Sequence, residues 1–237
     1  MSFRLLPVVV AIPVLALTIW AQAQESAPES TATSLLPEPA ADKVASGVKT
    51  LKSLYASDYR RTQDSNKLQA QLDSVGLARK LLKTAEETPP DSDGYYPILS
   101  EAARLATVGN KPDVAFDAID RLLKTHAIDA SAMRLKVLTH FGQRTTRLTD
   151  VRTASRFVMP AIQAAADAQK IKTAQALLVV GETMAKRMFD QTMQKSLAQA
   201  SELLELLRQQ EEDAEVADEA PQRQPLSPER AKPADVN

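Results

Sequence analysis

Tyr95–Leu123, YYPILSEAARLATVGNKPDVAFDAIDRLL, is the stretch that decides the fold. Ile98, Leu99, Ala102, Leu105 and Ala106 recur at the spacing of one helix face. Gly109-Asn110-Lys111-Pro112 then breaks the stripe. Gly suits the position just past a helix end, and Pro suits the first turn of the next helix. Val114, Ala115, Ala118, Ile119, Leu122 and Leu123 resume the pattern. Two amphipathic helices across so short a turn are expected to pack antiparallel, with the alanines letting their backbones approach closely. Such a helical hairpin is the unit of stacked-repeat proteins.

The same alternation of stripe and break extends in both directions. Upstream, a helix is expected over 43–60, with Val44, Val48, Leu51, Tyr55 and Tyr59 on one face. Asp64 or Ser65 is expected to cap the next, which carries Leu68, Leu72, Val75, Leu82 and Ala85. Gly76 interrupts it, as a close crossing or a weak spot, and Thr88-Pro89-Pro90-Asp91 ends it. Downstream, Asp129 reads as the N-cap of a helix bearing Ala132, Leu135, Leu138 and Phe141, and residues 142–148 form a polar break. Asp150 is expected to cap a helix with Val151, Ala154, Val158, Ile162 and Ala165 inward, kinked or restarted at Pro160. A helix over Thr173 to Met188 carries Ala174, Leu177, Leu178, Gly181 and Ala185. The last, over 190–210, carries Met193, Leu197, Ala200, Leu204 and Leu207. The expectation is an all-α, antiparallel helix-hairpin array of about eight helices.

Composition agrees with helix. Among 237 residues there are 6 glycines, aromatics are 4%, and no run of alternating β-branched residues occurs. The net charge of −1 gives no global field that would attract nucleic acid or an acidic membrane. The chain has no Cys, which removes disulfides, thiolate metal sites, a Cys nucleophile and a lipoprotein anchor together.

Both ends differ from the body. After Arg4 an apolar run, LLPVVVAIPVLALTIW, leads to Ala21-Gln22-Ala23, a secretory signal peptide over 1–23 with cleavage before Gln24. The alternative, an uncleaved anchor helix, is disfavoured because the run falls short of the roughly 20 apolar residues of a membrane span and carries Pro7 and Pro13; no span is expected after cleavage. The only Trp, Trp20, would leave with it. Residues 24–42, rich in Ser, Pro, Ala and Glu, are expected to be a disordered spacer. The helical repeat domain is assigned to 43–210. The tail over 211–237 holds eight acidic residues, three basic ones and four prolines, and is expected to be solvated and disordered.

Two resemblances follow from these residues. Leu105-Ala106…Gly109…Ala115-x-x-Ala118 parallels Ala165-Ala166…Gln169…Ala174-x-x-Leu177. This resembles the tetratricopeptide pattern, a helix pair of about 34 residues, and implies an α-solenoid. The chain lacks the aromatic of the first-helix signature, and Lys111-Pro112 lengthens the turn. Leu51-x-x-Leu54-Tyr55-x-x-Asp58-Tyr59, Ala78-x-x-Leu81-Leu82-x-x-Ala85, Tyr96-x-Ile98-Leu99-x-Glu101-Ala102-x-x-Leu105-Ala106, Ala115-x-x-Ala118-Ile119-Asp120 and Asp129-Ala130 carry the second. The stretch from Leu51 to Lys136, and more loosely to Leu207, is similar to a helical region of exported planctomycete proteins. There it stands alone or joins other extracellular modules. Pro97, Gly76 and the Lys111-Pro112 turn depart from it. The likeness implies a helical fold and export, and carries no chemistry across.

The residues themselves hold little chemistry. There is no Gly-rich phosphate loop, GxSxG elbow or HExxH pair. His126 and His140 read as surface or end-capping histidines, with Asp129 near His126 in sequence; no metal site and no cofactor is expected. Glu101 and Asp120 form the one conceivable acid/base pair, but neighbours at helical spacing, Arg104 and Lys124, read as their partners. No catalytic residue is assigned. Tyr55, Tyr59, Tyr95 and Tyr96 are the candidates for a binding patch, set against core filling with hydroxyls at the edge. Arg144, Arg147, Arg152 and Arg156, with Lys170, Lys172, Lys186 and Arg187, read as a solvated basic face rather than a nucleic-acid surface, since stacking aromatics are missing.

These readings converge on an exported, secreted or periplasmic, non-enzymatic scaffold that binds an unknown envelope protein or peptide. Two alternatives stand beside it: an enzyme or substrate-binding subunit with an unrecognised pocket, and a purely structural envelope protein. A deep pocket gathering Glu101, Asp120 or His126 would favour the first alternative.

Overall fold

The computed structural model describes residues 35–219, with side chains through residue 210. The stretch expected as a signal peptide, 1–23, and the tail beyond 219 lie outside the described residues. The helices are α1 (Ala41–Leu54), α2 (Ala56–Arg61), α3 (Lys67–Glu86), α4 (Tyr95–Val108) and α5 (Pro112–Thr125), then α6 (Ala130–Gln143), α7 (Leu148–Ser155), α8 (Val158–Asp167), α9 (Ile171–Met188) and α10 (Gln191–Glu219). Two short strands, β1 (Leu36–Pro37) and β2 (His126–Ala127), pair in parallel, Leu36 with His126 and Pro37 with Ala127. The protein is therefore all-α with one minimal strand pair among the described residues.

Packing follows chain order. α3 lies on α4, α4 on α5, α8 on α9 and α9 on α10, while α6 bridges from α5 to α9. The core runs through Leu81, Leu99, Leu105, Ile119, Leu122, Leu138, Phe141, Leu177, Met184 and Leu197, all fully buried. Phe116 of α5 stacks on Phe157 at the α7–α8 junction, ring centroids 4.0 Å apart.

Three helix ends share one turn. Asn110, Gln169 and Phe189 take left-handed backbone, with φ of 58°, 56° and 54°. The residue after each reaches back five positions: Lys111 N–H to Ala106 O, Lys170 N–H to Ala165 O, and Asp190 N–H to Ala185 O. This is the Schellman closure, which satisfies carbonyls left open at a helix end. The internal likeness is therefore in register with Asn110 on Gln169, so that Ala115 falls on Ala174 and Ala118 on Leu177. Gly109 is not the left-handed residue; its φ is −75°. It is small for another reason: a Cβ there would sit 2.5 Å from Val75 Cγ2 and 2.9 Å from the Gln71 carbonyl oxygen on α3.

Several boundaries differ from expectation. The first helix breaks at Tyr55, separating α1 from α2. The cap of α3 is Asn66, whose side chain accepts from Leu68 N–H and Gln69 N–H, while Asp64 accepts from Asn66 N–H. Asp129 caps α6 as expected, accepting from Ala132 N–H at 3.0 Å, and Asp190 caps α10 through Met193 N–H at 2.9 Å. Asp150 does not cap α7; it lies in the first turn of a helix that starts at Leu148. Pro160 restarts the path by falling in the first turn of α8, where its missing N–H costs no intrahelical bond. Leu68 and Leu72, expected inward, are about half exposed, and Leu207 is 38% exposed. Gly76 is no close crossing, since a Cβ there would meet nothing within 4 Å. At the ends, β1 and the first turn of α1 occupy part of the stretch expected as spacer, and α10 runs to Glu219, past residue 210.

Candidate functional site

The four tyrosines occupy two places, and neither is an exposed patch. Tyr55 is half-buried, its hydroxyl 3.0 Å from Thr84 Oγ1 and the Lys80 ammonium 4.9 Å from its ring centroid. Tyr59 is buried and donates to Glu101 Oε1 at 2.9 Å. Tyr95 and Tyr96 open α4 and are both buried against His126. Tyr95 stacks on the imidazole at 6.2 Å and Tyr96 meets it edge-on at 5.2 Å. The Tyr96 hydroxyl donates to Glu38 Oε1 at 3.0 Å. The strand β1 just before Glu38 is paired with His126, so this ring cluster is the seat of the N-terminal strap. Burial and the Glu38 carboxylate push the Tyr96 phenol up to about 12. Burial, with Glu101 alongside, pushes that of Tyr59 well above the usual phenol range.

His126 is likewise a core residue, not a surface or end-capping one. It is 4% exposed, with Nδ1 2.8 Å from Thr125 Oγ1. Burial lowers its pKa because the interior disfavours the imidazolium. Asp129 does not approach it as a metal partner; Asp129 is held by Ala132 N–H and by Lys170 at 2.8 Å. Among the described residues no group of three or more His, Asp or Glu is placed to hold a metal ion.

Glu101 and Asp120 do not converge. Asp120 is exposed and pairs with Arg134 at 3.0 Å, rather than with Lys124. Glu101 is 3% exposed, far more buried than a carboxylate on an amphipathic helix would suggest. It tolerates burial because three hydrogen bonds reach it: one from Tyr59 and two from Arg104, at 2.7 Å and 2.6 Å. These bonds offset the cost of taking the carboxylate out of water.

Arg104 carries this cluster to a groove of about 620 Å³ between α4 and α6. α4 contributes Ser100, Ala103, Arg104, Thr107 and Val108 at helical spacing. α6 contributes Met133, Lys136, Val137 and His140, again one stripe, with Arg144 at the cap just past its end, and Ile119 of α5 closes the floor. The floor is apolar. Three cations line it: Arg104, Lys136 and Arg144. The only carboxylate is Glu101, already occupied. Lys136 and Arg144 are exposed and form no ion pair among the described residues. Burial, reinforced by Arg144, lowers the His140 pKa and favours its neutral form.

The sequence reading grouped Arg144 with the basic segment and gave Lys136 no role. The signal that would have joined them is their separation of eight residues on one helix, with His140 midway. Arg187, placed in the same basic face, has a different task. It donates to Gly142 O at 2.6 Å, and also to the Phe141 and Thr145 carbonyls, closing the C-terminal end of α6. Thr145 in turn donates to Asn110 Oδ1 at 2.8 Å, tying the end of α6 to the α4–α5 turn. The C-terminal ends of the two groove walls are thus tied together.

No family model, curated protein or solved structure matches the chain.

Proposed function

We propose that the chain is an exported, non-enzymatic scaffold of the cell envelope, a tetratricopeptide-like array of helix pairs that seats part of a partner protein in the α4–α6 groove. The observation that carries this reading is the groove itself: an apolar floor with a cationic rim, built by two non-adjacent helices held rigidly by Arg187 and Asn110. The Schellman turns shared by the ends of α4, α8 and α9 support the repeat reading, since they give those three helices the same exit geometry. The test is a photo-crosslinking residue at Thr139 or Ser100 in the groove, compared with one at Lys49 on α1, in cells that make the protein. Defined adducts from the groove positions alone are expected. Equal labelling from Lys49, or no adduct at all, counts against the reading.

A second reading, a ligand-binding subunit, is favoured by the size of the same cavity. It falls within the roughly 300–1,000 Å³ range of small-molecule sites, and Glu101 lines it.

A further inference from the structure

The groove's lining argues for what fills it. Each wall presents apolar side chains toward the centre, Ala103 and Val108 from α4, Met133 and Val137 from α6, above Ile119. The charge around this floor has one sign. Arg104 is engaged by Glu101, whose carboxylate also accepts from Tyr59, so the pair is internally neutral. Lys136 and Arg144 are left without a counter-charge among the described residues. Eight residues of helix separate their Cα atoms by about 12 Å, with His140 between them.

An extended peptide would find few free side-chain partners in this lining, Thr139 and Gln143 among them. Its backbone N–H and C=O groups would need partners. The Ser100 hydroxyl already donates to Pro97 O at 3.1 Å and the Thr107 hydroxyl to Ala103 O at 2.7 Å. A helix about 10 Å across would seat only one or two turns in this volume. A compact molecule with an apolar body and one acidic end leaves no backbone unsatisfied and supplies the missing negative charge.

Resting on the ligand-binding reading, we propose that the α4–α6 groove is a site for a small carboxylate-bearing molecule with an apolar body. The body lies on Ala103, Val108, Ile119 and Val137, and the carboxylate meets Lys136 or Arg144. Such charge-assisted hydrogen bonds orient the molecule, while the apolar floor supplies the buried area.

The experiment is calorimetric titration of the full-length chain with decanoate, and with decylamine and decanol as matched probes. Saturable binding of decanoate, at least tenfold tighter than either matched probe, is expected. The Lys136→Gln/Arg144→Gln double variant should weaken decanoate at least tenfold, and Lys49→Gln on α1 should not. Circular dichroism checks that both variants remain helical, as expected for exchanges at exposed side chains. Equal binding of all three probes, binding insensitive to the double variant, or no binding of decanoate overturns the proposal. An acidic peptide that binds the groove where decanoate does not overturns it as well, and leaves the scaffold reading standing on its crosslinks.

Discussion

Tyr59 Oη donates to Glu101 Oε1 at 2.9 Å, joining α2 to α4 across forty-two residues of chain. The bond lies in the core and ends on a carboxylate that is itself gripped by Arg104. Tyr59→Phe removes one of three donors to a buried anion and leaves the ring packing intact. A loss of about 1–2 kcal/mol is expected, the range for an unpaired buried hydrogen-bonding group. Urea unfolding measures it. A cycle with Glu101→Gln should show the two residues coupled, and additive effects would dissolve the claimed linkage.

The buried His126 and the half-buried His140 give the protein an acid-sensitive limb. Burial lowers the pKa of both His126 and His140 in the folded chain. Their contribution is therefore fully present above the unfolded value of about 6.5, and is lost as pH falls through the lower folded values. Melting temperature should drop between pH 7 and pH 5, before the lowered carboxylates Asp58 and Asp129 begin to protonate. His126→Phe cannot titrate, so its melting temperature should fall less steeply over that interval. An identical slope in the variant would rule out His126 as the source.

At the alkaline end the sign reverses. Tyr96 is raised to about 12 and Tyr59 is raised further, so both favour the fold below the unfolded phenol value of about 10. That contribution disappears as pH climbs from about 10 toward 12. Tyr96→Phe should shift the onset of alkaline unfolding upward relative to its own neutral-pH stability, read by far-ultraviolet circular dichroism.

Two glycines, one inside α3 and one just past the end of α4, predict opposite responses to one methyl group. At Gly76 a Cβ meets open space, so Gly76→Ala gains helix propensity and should stabilise by about 0.5–1 kcal/mol. At Gly109 the same methyl drives into Val75 and the Gln71 carbonyl of α3. Gly109→Ala should destabilise by about 1–3 kcal/mol, the usual range for overpacking. Denaturation midpoints moving in the same direction would break this account.

Phe189 is 88% exposed and holds φ of 54° at the end of α9. A β-carbon in left-handed backbone costs about 1–2 kcal/mol, and here no buried ring compensates. Phe189→Gly should raise stability by about 0.5–1 kcal/mol after the added freedom of the unfolded chain is subtracted. Thermal melts of the variant test it, with unchanged or lower stability as the contrary result.

The helices were legible because apolar residues recur at helical spacing wherever a neighbour must be met. Ile98, Leu99, Ala102, Leu105 and Ala106 were read as one face, and all are buried. The cap at Asp129, a carboxylate three residues before the helical amide it accepts from, was legible for the same local reason. Burial of charge was not. Glu101 and Arg104 look like any surface pair at i,i+3, and only a tyrosine forty-two residues away makes the core acceptable to the anion. His126 also looked peripheral, because strand β1, which covers it, comes from a stretch with spacer composition. The groove escaped for a geometric reason: its walls are contributed by α4 and α6, with α5 between them in sequence.

The pairing of Leu36 with His126 also orders events in time. It closes a loop of ninety residues, and bringing such distant points together costs on the order of 4 kcal/mol in chain entropy alone. Two strand residues and the Tyr96–Glu38 bond cannot bear that from an unfolded chain. The cost falls once α4 and α5 are docked and hold Tyr96 beside His126. The earliest described residues to leave the ribosome are thus the last to lock, and on mild destabilisation the first to open. Glu38 and Ala127 amides should exchange with solvent before those of α4 lose protection.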